Sequence, residues 1–291
     1  MKKTMLLFMS LIFVLALTSC HHVIKGEKML MSNEQELKLG AQVHKEILKE
    51  FKLYKNPQVK SYVVRVGKKI VSKCDRKDIP YKFFVLDTDM VNAFAGPGGY
   101  VYVTTGMLMF MKNEAELACI LGHEVGHITE RHAAKRMREV MGYKILAIGL
   151  AVGGVDMGVE ILSLGMNLAL NGYSQKNEYE ADEKGILYAN RAGYNPHAMQ
   201  NLFVRLEQKS KNKNEYNTFN RMLSSHPPTR SRINRAHKIQ EKHNMMGLNA
   251  PKYYAKQYRQ IKSIISRDSG GLRKNPKIKK GNRKPGRNKK R

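Results

Sequence analysis

The sequence predicts an α+β fold, mainly helical, with one small antiparallel sheet. Three observations lead there. Apolar residues recur at helical spacing over most of the chain. One block, residues 81–104, is instead rich in aromatic and β-branched residues around a Gly-Pro-Gly-Gly turn. Hydrophobic residues make up 42% of 291, which gives room for one sizeable core with a tail, or for two small domains.

The elements follow in chain order. Ser32 and Gln35 form the pattern of a capping box ahead of Leu37, Val43, Ile47, Leu48 and Phe51, the apolar face of a first helix. After Pro57, a second amphipathic helix shows Val59, Tyr62, Val63, Val66 and Ile70. Asp78 to Pro80 reads as a turn. Strands are expected at Tyr81–Leu86, at Val91–Ala95 and at Tyr100–Thr104. Asn113 looks like the N-cap of a long apolar helix running to about Met141, with Glu114 and Glu116 in the first turn, where the helix dipole favours acids.

The stretch from Ile145 to Leu170 is apolar and rich in glycine. Asp156 and Glu160 in its middle would be costly in a bilayer, so a broken helical cover is expected there rather than a membrane span. Asn177–Ala192 reads as a helix closed by Gly193. Asn195-Pro196 opens another, lined by Met199, Leu202, Phe203 and Leu206. A polar loop is expected over Lys209–Asn217, and a last helix with Ile233 and Ile239 after His226-Pro227-Pro228.

Both ends differ from the middle. Lys2 and Lys3 precede the apolar run Met5–Leu17, which ends in Leu17-Thr18-Ser19-Cys20. That resembles a bacterial lipobox, in which the cysteine is acylated and anchors the chain without a spanning helix. The expected divisions are a signal peptide over 1–20, a tether over 21–31, one folded domain over 32–266 and a basic disordered tail over 267–291. No acid follows Cys20 directly, so the expected location is the outer membrane, facing the periplasm. An exported chain permits a disulfide between Cys74 and Cys119, but Cys119 reads more simply as a small buried residue of an apolar helix.

The net charge is +28, with 52 Lys and Arg against 24 Asp and Glu, and it favours anionic surfaces. From Gly270 onward there are 11 Lys or Arg and no acid. No aromatic residue interleaves that tail, so the stacking platform of a single-strand nucleic-acid binder is missing. The partners expected are extended polypeptides and, through Cys20 and the tail, a membrane; nucleic acid is not expected.

One motif carries chemistry. His123-Glu124-Val125-Gly126-His127 is an H-E-x-x-H sequence inside the apolar helix. Residues i and i+4 share a helix face, so both histidines can reach one zinc ion and Glu124 can act as a general base on water. A catalytic zinc needs a third protein ligand and an open position. Glu178 and Asp182, again i and i+4, are the downstream candidates: Glu178 as ligand, Asp182 as hydrogen-bond partner of a ligand histidine. The same acids also fit a solvated helix face. Glu180 points elsewhere and reads as surface.

The chain resembles metallopeptidase family forty-eight, the HtpX-like and CAAX-prenyl-type zinc endopeptidases, and within it the exported lipoprotein-like members. The resemblance runs over roughly 32–240. It rests on Asn92-Ala93-Phe94-Ala95-Gly96-Pro97-Gly98-Gly99, Thr105-Gly106-Met107-Leu108, Glu116-Leu117-Ala118 leading into the H-E-x-x-H, Glu178–Asp182, and Ser225-His226-Pro227-Pro228 with Arg232-Ile233. It implies a zincin-type domain whose sheet lies beside the active-site helix. It implies one zinc per chain on His123, His127 and Glu178, with Glu124 as base and Asp182 behind a ligand. It also implies that Asn92, Ala93, Phe94 and Ala95 form a cleft edge to which substrate adds as a strand.

Two residues stay open at this point. His226 either occupies the vacant metal position, donates to the oxyanion, or caps a turn. Arg232 either stabilises that oxyanion or lies on a helix surface. The expected function is an envelope metalloendopeptidase acting on unfolded or misassembled proteins. The alternative is a lipid-anchored chaperone with a latent zinc site.

Overall fold

The computed structural model describes residues 31–148, 157–210, 216–227, 230–245 and 253–272. The signal peptide with Cys20, the tether up to residue 30 and the tail beyond Leu272 lie outside the described residues. The first helix, α1 (Asn33–Glu50), begins with the expected capping box: Ser32 accepts from Gln35 N, and the Gln35 side chain reaches back to Ser32 N. In α2 (Pro57–Val71), Asn56 caps the N-terminus with proline in the first turn.

The sheet contains β1 (Lys82–Leu86), β2 (Ala93–Gly96) and β3 (Tyr100–Thr104), in the order β1-β3-β2. A 3-10 turn at Pro97–Gly99, with Gly98 and Gly99 at positive φ, folds β3 back antiparallel to β2. β1 joins the other side of β3 in parallel register. The α+β expectation holds, but the sheet is mixed rather than wholly antiparallel. Alternation along a strand assigns side chains to faces and carries no information about direction, so the sequence could not tell these apart.

Both faces of this sheet are covered. Val101 and Val103 of β3 and Ala93 and Ala95 of β2 join the larger core, with the helices α2, α3 (Thr105–Phe110) and α4 (Glu114–Thr129). Tyr100, Tyr102 and Phe94 face the other way, onto Leu39, Val43 and Ile47 of α1. Phe94 and Tyr102 stack with centroids 4.8 Å apart.

α4 is shorter than expected. It stops at Thr129, Arg131 adopts a left-handed φ of 55°, and α5 (His132–Ile148) starts in a new direction. α6 (Met157–Asn171) follows, and its residues Leu168 and Ala169 close the α1 side of the core. No helix among the described residues is long and apolar enough to cross a membrane. Next come α7 (Gln175–Arg191), α8 (His197–Ser210), α9 (Tyr216–Ser225) and α10 (Arg230–Lys242). Gly193, at φ 76°, ends the α7 turn as expected.

A further helix, α11 (Ala255–Leu272), was not anticipated. Tyr258, Ile261 and Ile265 bury its apolar face in the larger core, and Asp268 accepts hydrogen bonds from Tyr54 and Asn56. The domain boundary expected after residue 266 therefore falls inside an ordered helix. Cys74 and Cys119 are both buried and free, so no disulfide joins them.

Candidate active site

The site is built on the contact between α4 and α7. α4 is capped by Asn113, whose side chain accepts from Glu116 N, and it is buried from Glu114 to Ile128. A helix buried on all sides needs no polar face, which explains its apolar run. Glycines let α7 approach closely. A Cβ on Gly122 would sit 3.0 Å from Gly185 O, and one on Gly126 would sit 3.1 Å from Ala181 Cα. This backbone contact brings Glu178 and Asp182 of α7 beneath the two histidines of α4.

A second close approach delivers His226. Gly172, at φ 80°, has room for no side chain, because its Cβ would lie 2.1 Å from Ser225 O. The residue after Ser225 is thereby pressed against the start of α7.

Four ligand atoms converge: His123 Nε2, His127 Nε2, His226 Nδ1 and a Glu178 carboxylate oxygen, all buried and all within 4.8 Å of one another. The Nε2 atoms of His123 and His127 are 3.0 Å apart, and His226 Nδ1 is 3.3 Å from His123 Nε2. Glu178 lies 2.9 Å from His226 Nδ1, 3.3 Å from His127 Nε2 and 3.5 Å from His123 Nε2. A tetrahedral zinc with nitrogen and oxygen ligands at about 2.0–2.2 Å keeps them about 3.3–3.6 Å apart. The donor set suits such an ion, and the separations of 2.9–3.5 Å lie around that spacing, with Glu178 turning Oε1 to His127 and Oε2 to the other two histidines.

Carboxylates and one guanidinium surround the quartet. Asp182 Oδ1 is 2.9 Å from His123 Nδ1. Arg232 is 1% exposed, so it is not a helix-surface residue. Its Nε and Nη2 both donate to Asp182, at 2.7 and 2.6 Å, and its Nη1 is 3.1 Å from Glu178. Burial opposes charge on Glu178, but His226, His123 and His127 outweigh it and hold the carboxyl well below the usual range. Burial likewise opposes protonation of His123, yet Asp182 and Glu178 lift it to about 10.

Glu124 is different. It is 1% exposed, and neither of its carboxylate oxygens has a hydrogen-bond partner among the described residues. Its Oε1 lies 3.8 Å from His226 Nε2. Burial pushes its carboxyl up from the ordinary value. A buried carboxyl without a partner is costly, and one retained beside four metal-competent atoms marks a candidate catalytic group.

The profile of Peptidase family M48 matches residues 57–240, most of the chain and all of the quartet. The chain belongs to peptidase family M48. The M48 domain here is similar to the β-barrel assembly-enhancing protease of Yersinia pestis, with 29% identity over 71% of this chain and 44% of the relative. It is 28% identical to the mitochondrial metalloendopeptidase OMA1 of Schizosaccharomyces pombe over 70% of this chain and 60% of that one. It is 29% identical to the metalloprotease LoiP of Escherichia coli over 53% and 60% of the two chains. The chain spans less than half the length of the β-barrel assembly-enhancing protease that it matches.

Within this M48 domain the structure brings together His123, Glu124, His127, Glu178, Asp182, His226 and Arg232. Ala93–Ala95 lie on an edge strand, with Asn92 immediately before it. β2 is terminal in the sheet and packs against α4, with Ala93, Phe94 and Ala95 at most 2% exposed. These values cover whole residues, so the backbone of the strand is buried with its side chains, and α6 packs against it as well as α4. Both polar side-chain atoms of buried Asn92 lack partners among the described residues.

Two neighbours of the site escaped the sequence reading. Tyr173 stacks on His127 at 4.3 Å. His132 lies 2.9 Å from His127 and 3.0 Å from Glu180, so Glu180 is not a plain surface acid. Nothing in the sequence marks Tyr173, and His132 shows only as a third histidine five residues after the motif.

Proposed function

We propose that the protein is a zinc-dependent metalloendopeptidase of the cell envelope that hydrolyses unfolded or misassembled polypeptides. The observation that carries this reading is the buried quartet of ligand atoms, all within 4.8 Å of one another, with the unpartnered Glu124 beside it. Membership of a peptidase family supports the reaction class. The lipobox-like Cys20 and the likeness to a β-barrel assembly-enhancing protease support the envelope setting.

Zinc held by His123, His127 and Glu178 would polarise a peptide carbonyl and lower the pKa of water. The protein's own groups do the rest. Asp182 Oδ1, 2.9 Å from His123 Nδ1, favours the proton on that nitrogen and so leaves Nε2 free to bind. Arg232 holds Asp182 with two hydrogen bonds and neutralises the excess carboxylate charge around Glu178. Glu124 takes the proton of the attacking water and passes it to the leaving amine. The edge strand β2 would align an extended substrate by strand addition only after its cover has moved, because its residues and Asn92 are buried.

His226 gives the quartet four protein donors, the closed arrangement of a structural zinc site. In this reading the arrangement is latent, and His226 must leave before a carbonyl can approach. The same closure favours a second reading, a lipid-anchored chaperone whose zinc is never opened.

The test uses purified full-length protein. Zinc per chain is measured, and casein cleavage is compared with that of Glu124→Gln. One zinc, with cleavage reduced about 10²–10⁴-fold in the variant, is expected. One zinc with no cleavage, even after His226→Ala, selects the chaperone. Absence of zinc ends the metallopeptidase reading.

A further inference from the structure

We propose that His132 and Glu180 form an outer support for His127, fixing its tautomer and strengthening it as a metal donor. This rests on the reading that His127 holds zinc.

His127 faces the quartet with Nε2, which lies 3.0 Å from His123 Nε2 and 3.3 Å from Glu178. Its other nitrogen, Nδ1, lies 2.9 Å from His132 Nδ1. The far nitrogen of that second ring, His132 Nε2, lies 3.0 Å from Glu180 Oε2. The three side chains thus form a line from the metal position outward.

Only one distribution of protons serves the whole line. Two nitrogens facing each other at hydrogen-bond distance share one proton. A carboxylate is an acceptor only, so Glu180 requires the proton of His132 on Nε2. His132 Nδ1 is then bare and accepts from His127 Nδ1–H. That leaves a lone pair on His127 Nε2, where the ligand quartet needs it. The opposite distribution sets a bare His132 nitrogen against the Glu180 carboxylate and puts a proton on His127 Nε2. Glu180 therefore selects the tautomer of a ring it does not touch.

The backbone is arranged to allow this line. On one continuous helix, residues five apart point about 140° away from each other. His127 and His132 meet only because the helix stops at Thr129, turns at Arg131 with φ 55°, and restarts at His132. Both rings are buried, at 1% and 0% exposure. Tyr173 lies parallel to His127, at 4.3 Å and 20°, and is 5.7 Å from His132, which limits rotation of the pair.

The other histidine of the motif is served in the same manner. His123 Nδ1 has Asp182 at 2.9 Å, backed by Arg232. Glu178, Glu180 and Asp182 on α7 thus divide the work: the first faces the ligand cluster, the third supports His123 directly, and the second supports His127 through an intervening imidazole.

The experiment measures zinc affinity by competition with a chromophoric chelator, and the visible spectrum of the cobalt-substituted protein. Wild type is compared with His132→Leu, His132→Asn and Glu180→Ala, all full-length. Loss of an outer hydrogen-bond partner weakens metal binding by about 10–100-fold, and His132→Leu is expected in that range. Glu180→Ala should show a smaller loss in the same direction. Asparagine can return an acceptor near the position of His132 Nδ1, so His132→Asn should recover part of the affinity and of the cobalt spectrum. A purely structural role for His132 would not give that recovery. If His132→Leu does not fold, Glu180→Ala decides, because its side chain is 37% exposed and its removal leaves no buried hole. Affinities and spectra within twofold of wild type overturn the support alone. A wild type that takes up no zinc overturns the metal reading and the support together.

Discussion

Arg232 grips Asp182 with two parallel hydrogen bonds, Nε to Oδ2 at 2.7 Å and Nη2 to Oδ1 at 2.6 Å. The pair is buried, and Asp182 in turn holds His123. Removing the guanidinium strands a charged carboxylate without its partner. Arg232→Ala should cost about 3–5 kcal/mol of stability, read from urea unfolding of the zinc-free protein. Arg232→Lys keeps the charge but loses the fork, so it should fold better than the alanine variant yet bind zinc more weakly than wild type. Equal zinc affinity in Arg232→Lys would show that charge alone is enough.

Gly122 meets the backbone of Gly185, with a hypothetical Cβ 3.0 Å from its oxygen. Gly122→Leu must push α4 and α7 apart. A cost of about 1–3 kcal/mol is expected, with zinc affinity lost in parallel because Glu178 moves with α7. Calorimetric unfolding and zinc titration of the same variant check both. Retained affinity would mean that the ligands do not depend on this contact.

His226→Ala should leave three protein ligands and an accessible fourth position. Hydrolysis of casein should then rise in proportion to the closed population that the substitution removes. A fall in turnover at unchanged zinc content would instead assign His226 to the oxyanion.

Glu114 begins α4 and accepts from Arg65, Tyr62 and Tyr194. Burial raises its carboxyl, but these partners win and hold it below 4.5. A depressed folded-state value contributes stability above the unfolded value, and that stability is lost as pH falls through the folded one. Wild type should therefore lose stability more steeply below about pH 4.5 than Glu114→Gln does. Unfolding midpoints measured from about pH 3 to 7 check this, and parallel curves would remove Glu114 from the account.

Much of the site could be read from the chain because it is local. His123 and His127 are one helical turn apart, and so are Glu178 and Asp182, so spacing alone puts each pair on a face. The caps at Ser32 and Asn113 are local too, and both are present. What failed depends on three-dimensional approach or direction. The parallel pairing of β1 with β3 leaves no mark in side-chain alternation. The break at Arg131 has no glycine or proline to announce it. The meeting of His132 with Glu180 spans 48 positions and exists only once that break has turned α5. The sequence offers Arg232 as an oxyanion stabiliser or a surface cation, and its grip on Asp182 appears only once α10 has packed beside α7.

The glycine contact between α4 and α7 has an entropic side. Side chains such as leucine or methionine surrender rotamer freedom when a helix interface forms, whereas glycine and alanine have almost none to lose. Gly122, Gly126, Gly185 and Ala181 line this interface. The distance from the histidine pair to Glu178 is thus set by backbone against backbone. It does not depend on how a set of rotamers settles, and it should vary little from molecule to molecule or with temperature.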